Sequence, residues 1–264
     1  MDILWTKCGG PIPLLVAEAA RREGFLVAAS LGEDGAKPDL GCDAADRAAC
    51  PDDRRRLAEA VGLDAEHLVF MEQVHGGAVA VVDERQAGAG LHDRRAAVAG
   101  ADSMVTCSSA VALVALSADC PLVAAWDAEA RLAAVAHAGW RGLAAEVLRR
   151  MVERMVDLGA DTRRIGAAVG PAIGACCYEV GPDLVDALVG SGIALPEHLR
   201  PVGSHLHMDL GAVVERQLCQ AGVAAERISV EPTCTMCCEP LLHSYRRDGS
   251  QAGRQALVIR REER

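Results

Sequence analysis

Cys120 and His137 flank a short polar break in an otherwise apolar stretch, LSADCPLVAAWDAEARLAAVAHAGWRG. Residues 121–126 and 131–136 are apolar runs of strand length, and Asp127-Ala128-Glu129-Ala130 interrupts them. A tight hairpin centred between Ala128 and Glu129 pairs Trp126 with Arg131 and sets Cys120 directly opposite His137. Opposed residues on an antiparallel pair have Cβ atoms roughly 4.5–5.5 Å apart. A thiol and an imidazole at that distance are two donors of a metal site, or a nucleophile and its base. His75, in MEQVHGG, is a third candidate of the same character, a donor at a strand end beside glycine. Two imidazoles and one thiolate suit Zn²⁺, and three protein donors leave a fourth position for water or substrate. Zinc in such a site lowers the pKa of bound water to about 7. Asp119 could orient a ligand imidazole or accept a proton. The plainer alternatives are a small buried hydrophobe for Cys120, a turn residue for His75 and a polar strand end for Asp119.

Other segments carry weaker signals. His137-Ala-Gly-Trp-Arg-Gly reads as strand, turn and helix start, where Arg141 can meet a phosphate or carboxylate, or simply face solvent. HSYRRDGSQAGRQ (243–255) is an Arg-rich loop whose Arg246 and Arg247 could clamp an anion, or be a solvated basic loop. Cys234-x-x-Cys237 resembles half of a zinc ribbon, but no second CxxC exists, which argues against a structural zinc. Cys176 and Cys177 are adjacent, and His205-Leu-His207 is the single His-x-His.

These residues must be positioned by a mixed set of elements. A first helix is expected over Pro11–Glu23 and a loop over 31–51. A second helix, capped by Asp52 or Asp53, should stop at Gly62. Residues 67–74 and 78–83 read as a hairpin with His75 at its tip, and 84–99 as polar loop. Strands follow at ADSMVTCS and 111–117. Leu143, Val147, Met151 and Met155 then recur every four residues, the stripe of one amphipathic helix ended by Gly159. IGAAVGP is a strand, PDLVDALV a short helix, LGAVVERQLCQAG a helix capped by Asp209, and 227–234 and 256–260 the last strands. Hairpin-connected strands outnumber helices, which points to α+β with antiparallel or mixed sheets in one domain.

Composition narrows the function classes. The chain has 264 residues, 51% hydrophobic but only 3% aromatic, so its core is built from Ala, Val and Leu. A net charge of −10 argues against nucleic-acid and anionic-membrane surfaces. No apolar run nears the ~18 residues of a membrane span, and the first residues lack a signal-peptide pattern, so a cytoplasmic protein is expected. Eleven cysteines, an odd number without an export signal, are expected to be free thiols, a few of them ligating metal.

Six motifs in order, MEQVHG, ADSMVT, SADCPL, VAHAGWRG, VGPAIGACCYEVG and SYRRDG…GRQ, make residues of about 52–260 resemble the laccase-domain family, named for multicopper polyphenol oxidase and also called peptidoglycan editing factor. The resemblance implies a single domain over 1–264 with a divergent part at 1–51. It implies a four-layer α/β/β/α fold like the catalytic domain of a cytotoxic necrotising factor. It also implies a zinc held by His75, Cys120 and His137. Cys120, His137 and Asp119 would then be catalytic, and Gln73, Arg141, Arg246 and Arg247 would bind substrate. The implied activity is phosphorolysis of purine nucleosides (adenosine, inosine, guanosine, methylthioadenosine) with adenosine deamination, the partners being a nucleoside and phosphate. Copper-dependent phenol oxidation is also ascribed to the family, with copper as the alternative ion. One departure stands out. The family's Ser-Leu-Asn is here Ser30-Leu31-Gly32, and Asp53-Arg54 replaces the usual Asn-Arg.

A true multicopper laccase needs about ten histidines in several His-x-His pairs, whereas this chain has eight and one such pair. Two other classes remain in play. One is a Cys/His-dependent hydrolase acting on a peptidoglycan precursor. The other is a thiol-rich metal-binding protein without turnover.

Overall fold

The computed structural model describes residues 5–33, 37–41, 50–239 and 241–262. Two six-stranded mixed sheets form its centre. The first contains β1 (Trp5–Cys8), β2 (Leu14–Ala17), β3 (Phe25–Ser30), β4 (Leu68–Phe70), β7 (Ala112–Ser117) and β15 (Gln255–Arg261), in the order β1-β2-β3-β15-β7-β4. The second contains β5 (Val79–Val81), β6 (Ser103–Thr106), β8 (Leu122–Asp127), β9 (Leu132–His137), β10 (Gly166–Val169) and β14 (Ile228–Val230), in the order β14-β10-β8-β9-β6-β5. A small sheet joins β11 (Glu179–Val180), β12 (Leu199–Val202) and β13 (His205–Met208). The helices are α1 (Glu18–Arg22), α2 (Cys50–Ala60), α3 (Trp140–Ala144), α4 (Val147–Asp157), α5 (Pro182–Val185), α6 (Leu210–Gln220) and α7 (Tyr245–Asp248). None of the described helices is long and apolar enough to cross a membrane.

Period-two alternation explains the layering. On β15, Leu257 and Ile259 face a core shared with Leu122, Ala124 and Trp126 of β8, while Ala256 and Val258 face Leu57, Ala58 and Val61 at α2. On β9, Ala133 and Val135 join the inter-sheet core, and Leu132, Ala134 and Ala136 turn to Met151, Met155, Val213 and Leu218 of α4 and α6. The sequence of layers is helix, sheet, sheet, helix. Alanine lets the two sheets approach closely, and Trp126 fills the remaining width. Gly166 makes room for it, since a Cβ there would lie 2.5 Å from the indole.

Several sequence expectations need correction. Residues 11–23 are not one helix. Leu14–Ala17 alternates well enough to pair as a strand between β1 and β3, leaving only Glu18–Arg22 helical. Residues 67–83 are not a hairpin, because β4 pairs in parallel with β7 and β5 in parallel with β6, in different sheets. The His75-Gly76-Gly77 segment is therefore a crossing between sheets. The helix expected from Leu143 is broken at Glu146, whose φ of 57° is left-handed. The Gly77 backbone packs against Ala145, where a Cβ would meet the carbonyl oxygen at 2.5 Å. Buried Gln217 spans the break, donating to the Leu143 carbonyl at 3.0 Å and accepting from Leu148 N–H at 3.1 Å. It thus gives the Leu148 N–H, a donor of the first turn of α4, its acceptor and ties that turn to α3. Of the 31–51 loop, residues 34–36 and 42–49 lie outside the described residues.

Candidate active site

The β8–β9 hairpin brings Cys120 and His137 together, though in a different register from the one expected. Asp127 pairs with Leu132 and Leu122 with His137. The four-residue loop lies one residue later than expected because the Asp127 carboxylate accepts the N–H groups of Glu129 and Ala130 at 3.0 and 3.1 Å, and Arg131 closes it with φ 58°. The shift is two residues, so side-chain faces are preserved; a shift of one would have turned them over. Pairing continues past the strand ends through Ala138 N–H to the Pro121 carbonyl at 2.8 Å. Cys120 thereby falls beside Gly139, where an added Cβ would lie 3.0 Å from the thiol and 3.3–3.4 Å from Cε1 and Nε2 of His137. The absence of that methyl lets the sulfur and ring share one cradle.

His75 supplies the third arm. Its ring stands edge-on to that of His137, with centroids 4.9 Å apart. The loop carrying it is held by Asp102, which is fully buried. The Asp102 carboxylate accepts N–H bonds from Val74 at 3.1 Å, His75 at 3.0 Å and Gly76 at 2.6 Å, and meets Nδ1 of His137 at 2.9 Å. Its backbone carbonyl takes the His137 N–H at 2.8 Å. This network stabilises His75 at φ 62°, a strained conformation for a residue with a side chain. Asp102 sits in the ADSMVT motif at the mouth of β6, yet nothing local in sequence links it to His137. Asp119, expected to orient an imidazole, is instead engaged elsewhere. Thr235 donates to its Oδ1 at 2.6 Å and Arg246 N–H to its Oδ2 at 2.7 Å.

The charges follow from this geometry. Burial alone would raise the pKa of Asp102, but the His137 bond and the N–H groups of Gly76 and Val74 hold it below the usual carboxylate range. Burial works against charging His137, yet Asp102 and the Cys120 thiol raise its pKa to about 9. His75 is pushed down, first by burial and then by His137. Burial and the neighbouring Cys120 drive the Tyr178 phenol up to about 12.

All three donors line a cavity of about 550 Å³. The chain has only three Trp, two Tyr and two Phe. Four of those seven, Phe70, Trp140, Tyr178 and Tyr245, line this cavity, which concentrates flat apolar surface there. Among the described residues five arginines and one carboxylate, Asp119, line it, and Arg141 and Arg246 give the space a positive face that suits an anion although the chain is acidic. Arg54 is a wall element, stacked 4.0 Å over Phe70 and bonded to the carbonyls of Leu40 and Leu91. Arg141 stacks 4.4 Å over Trp140, and Arg246 lies 5.1 Å over Tyr178 and donates to the Glu179 carbonyl. Among the described residues neither the Arg141 nor the Arg246 guanidinium pairs with a carboxylate, although the Arg246 backbone N–H bonds Asp119. Arg247 is not at the cavity. It pairs with Asp248 and bonds the carbonyls of Thr235, Met236 and Leu242. Gln73 lines the cavity, but its amide is engaged in both directions with the backbone of Leu116.

The donor chemistry fits a borderline-soft metal. Asp102 holds Nδ1 of His137, leaving Nε2 toward the Cys120 thiol, as expected for a ligand imidazole and its orienting carboxylate. The remaining six histidines do not line the cavity, and the His205/His207 pair sits on β13, with His207 bonded to the Ala175 carbonyl. A second donor group lies outside the cavity. Cys176, Cys177, Cys234 and Cys237 place all four sulfurs within 4.8 Å of one another.

The fold and the site define a laccase-like domain protein. Residues 34–262 match the family model described as multi-copper polyphenol oxidoreductase laccase, and the chain belongs to that family. Among its relatives, a protein named purine nucleoside phosphorylase YlmD, from Geobacillus stearothermophilus, is 36% identical over 273 residues, covering 98% of this chain and 95% of that one. A protein named adenosine deaminase RL5, from an unknown prokaryotic organism, is 35% identical over 213 residues, 80% of this chain and 81% of the relative. The crystal structure of Geobacillus YlmD superposes with a TM-score of 0.89 at 33% identity over 100% of both chains.

Proposed function

We propose that this chain is a zinc-dependent purine nucleoside phosphorylase that also deaminates adenosine, with His75, Cys120 and His137 as the zinc ligands. One observation carries the reading. A ring of flat apolar side chains and two arginines, whose guanidinium groups pair with no carboxylate among the described residues, share a cavity with a thiol and two imidazoles. The names of the relatives, purine nucleoside phosphorylase and adenosine deaminase, support the same substrate class.

Tyr178, Trp140 and Phe70 offer faces for a purine ring, and stacking on such faces tolerates different bases. Arg141 and Arg246 can fix phosphate by charge-assisted hydrogen bonds, their planar forks matching its oxygens. With both reactants held, a phosphate oxygen bonds to ribose C1′ as the bond from C1′ to the base nitrogen breaks. The base then leaves with a proton, and held geometry replaces the entropy cost of encounter. Zinc, when bound, supplies Lewis-acid charge stabilisation and a water of lowered pKa. Asp102 keeps His137 in one tautomer and His75 in its strained loop, so neither donor must reorganise. In deamination, water adds at adenine C6 and ammonia departs from the same carbon.

The test is direct. Purified enzyme with adenosine and phosphate should give adenine and ribose 1-phosphate, and inosine with ammonia when phosphate is omitted. Finding none of these products overturns the reading.

A second reading rests on the Cys120–His137–Asp102 alignment, which also has the order of nucleophile, base and orienting acid. It predicts a cavity that binds no zinc and a Cys120 whose alkylation abolishes hydrolysis of a cell-wall precursor.

A further inference from the structure

Sequence spacing argues against a structural zinc because only one CxxC exists, but the fold supplies the missing pair. Cys176 and Cys177 belong to a turn closed by Cys177 N–H to the Gly174 carbonyl at 2.9 Å. Cys234 and Cys237 belong to a second turn, closed by Cys238 N–H to the Cys234 carbonyl at 2.9 Å. The two turns are stitched together by a bridge between Ala172 and Cys234 and by Thr235 N–H to the Ala172 carbonyl at 3.0 Å. Some sixty residues of sequence separate them, and the pairing of β10 with β14 brings them side by side.

We propose that Cys176, Cys177, Cys234 and Cys237 bind one structural Zn²⁺, a site distinct from the donors at the cavity. The sulfur spacing fits. Zn–S bonds of about 2.3 Å in a tetrahedron put sulfurs ~3.8 Å apart. Here Cys177 and Cys176 lie 3.3 and 3.6 Å from Cys237, and no pair exceeds 4.8 Å. Cys237 lies within reach of two sulfurs at once, so the arrangement converges on a point rather than selecting one disulfide pair. Gly174 donates its N–H to the Cys234 sulfur at 3.2 Å, a bond that stabilises a thiolate ligand. A side chain at Gly174 would crowd the site, since its Cβ would lie 3.3 Å from Cys176 Sγ. Arg247 donates to the carbonyls of Thr235 and Met236, which braces the chelating turn. Four thiolates and no open position define a structural zinc site rather than a catalytic one.

The site would act on the cavity through its neighbours. Thr235, between two of the ligands, donates to Asp119 next to Cys120, and Tyr178 follows Cys177 directly. Zinc at the quartet would clamp both turns and so hold one wall of the cavity.

The experiment measures metal in the full-length protein purified under reducing conditions without chelator. A His75→Ala/Cys120→Ala variant, lacking two cavity donors, should retain about one zinc per chain. A Cys176→Ser/Cys237→Ser variant should lose that zinc. Cobalt exchanged into the first variant should show the intense sulfur-to-metal absorption of a tetrathiolate. If the serine variant does not fold, differential alkylation of wild type replaces it. Cys176, Cys177, Cys234 and Cys237 should then be protected as a group and released together by a zinc chelator. A metal-free first variant, iron in place of zinc, a Cys176–Cys237 disulfide under those conditions, or independent alkylation of the four thiols overturns the proposal. None of these readouts depends on turnover, so failure of the phosphorylase reading leaves this one standing.

Discussion

The two ends of the β8–β9 hairpin are organised by the same device and put to different use. At the turn end, Asp127 is fully buried and accepts N–H groups from Glu129, Ala130 and Asp161. At the open end, Asp102 is fully buried and accepts N–H groups from Val74, His75 and Gly76. Each carboxylate resists burial by gathering donors, and each is held below the usual carboxylate range. The partner cation differs. Asp127 faces Arg164 at 3.1 Å, a charge that never titrates in the working range. Asp102 faces His137, an imidazole with a second nitrogen free for other chemistry. A guanidinium completes a structural knot, whereas an imidazole turns the same knot into the support of a site.

Substitutions can break this contrast. Cys120→Ala removes a donor outright and should lower kcat/KM for adenosine phosphorolysis roughly 10³-fold, about 4 kcal/mol of transition-state stabilisation, while the melting temperature moves little. Asp102→Asn keeps the shape but disturbs the His137 tautomer, and kcat/KM should fall about 10–100-fold. Asp127→Asn should do the reverse, costing about 1–3 kcal/mol in denaturant unfolding with kcat/KM unchanged. Equal effects of the two Asn variants on both measurements would erase the distinction. Arg141→Ala should raise the KM for phosphate about tenfold and leave that for the nucleoside near wild type.

A pH titration sharpens the turn end. Burial alone would raise the pKa of Asp127, but the N–H groups of Asp161 and Ala130 and the Arg164 charge lower it. Its contribution to stability is therefore complete above the unfolded-state value of about 3.9 and is lost as pH falls through the lower folded value. Chemical denaturation between pH 6 and 3 should show an acid limb that is shallower in Asp127→Asn than in wild type.

That His75, Cys120 and His137 share one cavity was legible because they sit at strand ends beside glycine or proline and the family motifs carry them. The meeting of Cys120 with His137 survived a wrong register since moving the turn by one residue moves each cross-strand partner by two, an even number. His75 was placed at a hairpin tip because periodicity reveals strands but not which sheet each one joins. Asp102 and the cysteine quartet were missed for a common reason. Their partners lie 35 and about 60 residues away, and only the assembled sheets bring them together. Gln217 belongs to the same class, an ordinary polar residue of α6 until the break before α4 gives it two backbone groups to satisfy.

Gly139 has a consequence for how such a centre is mapped by mutagenesis. Scanning with alanine interrogates a protein by deletion, and it would register Asp102, Cys120 and both imidazoles as sensitive. At Gly139 the same scan performs an insertion, driving a methyl to 3.0 Å from the Cys120 sulfur. The informative experiment there is a graded series of added volume, in which the smallest step should already separate the thiol from the ring.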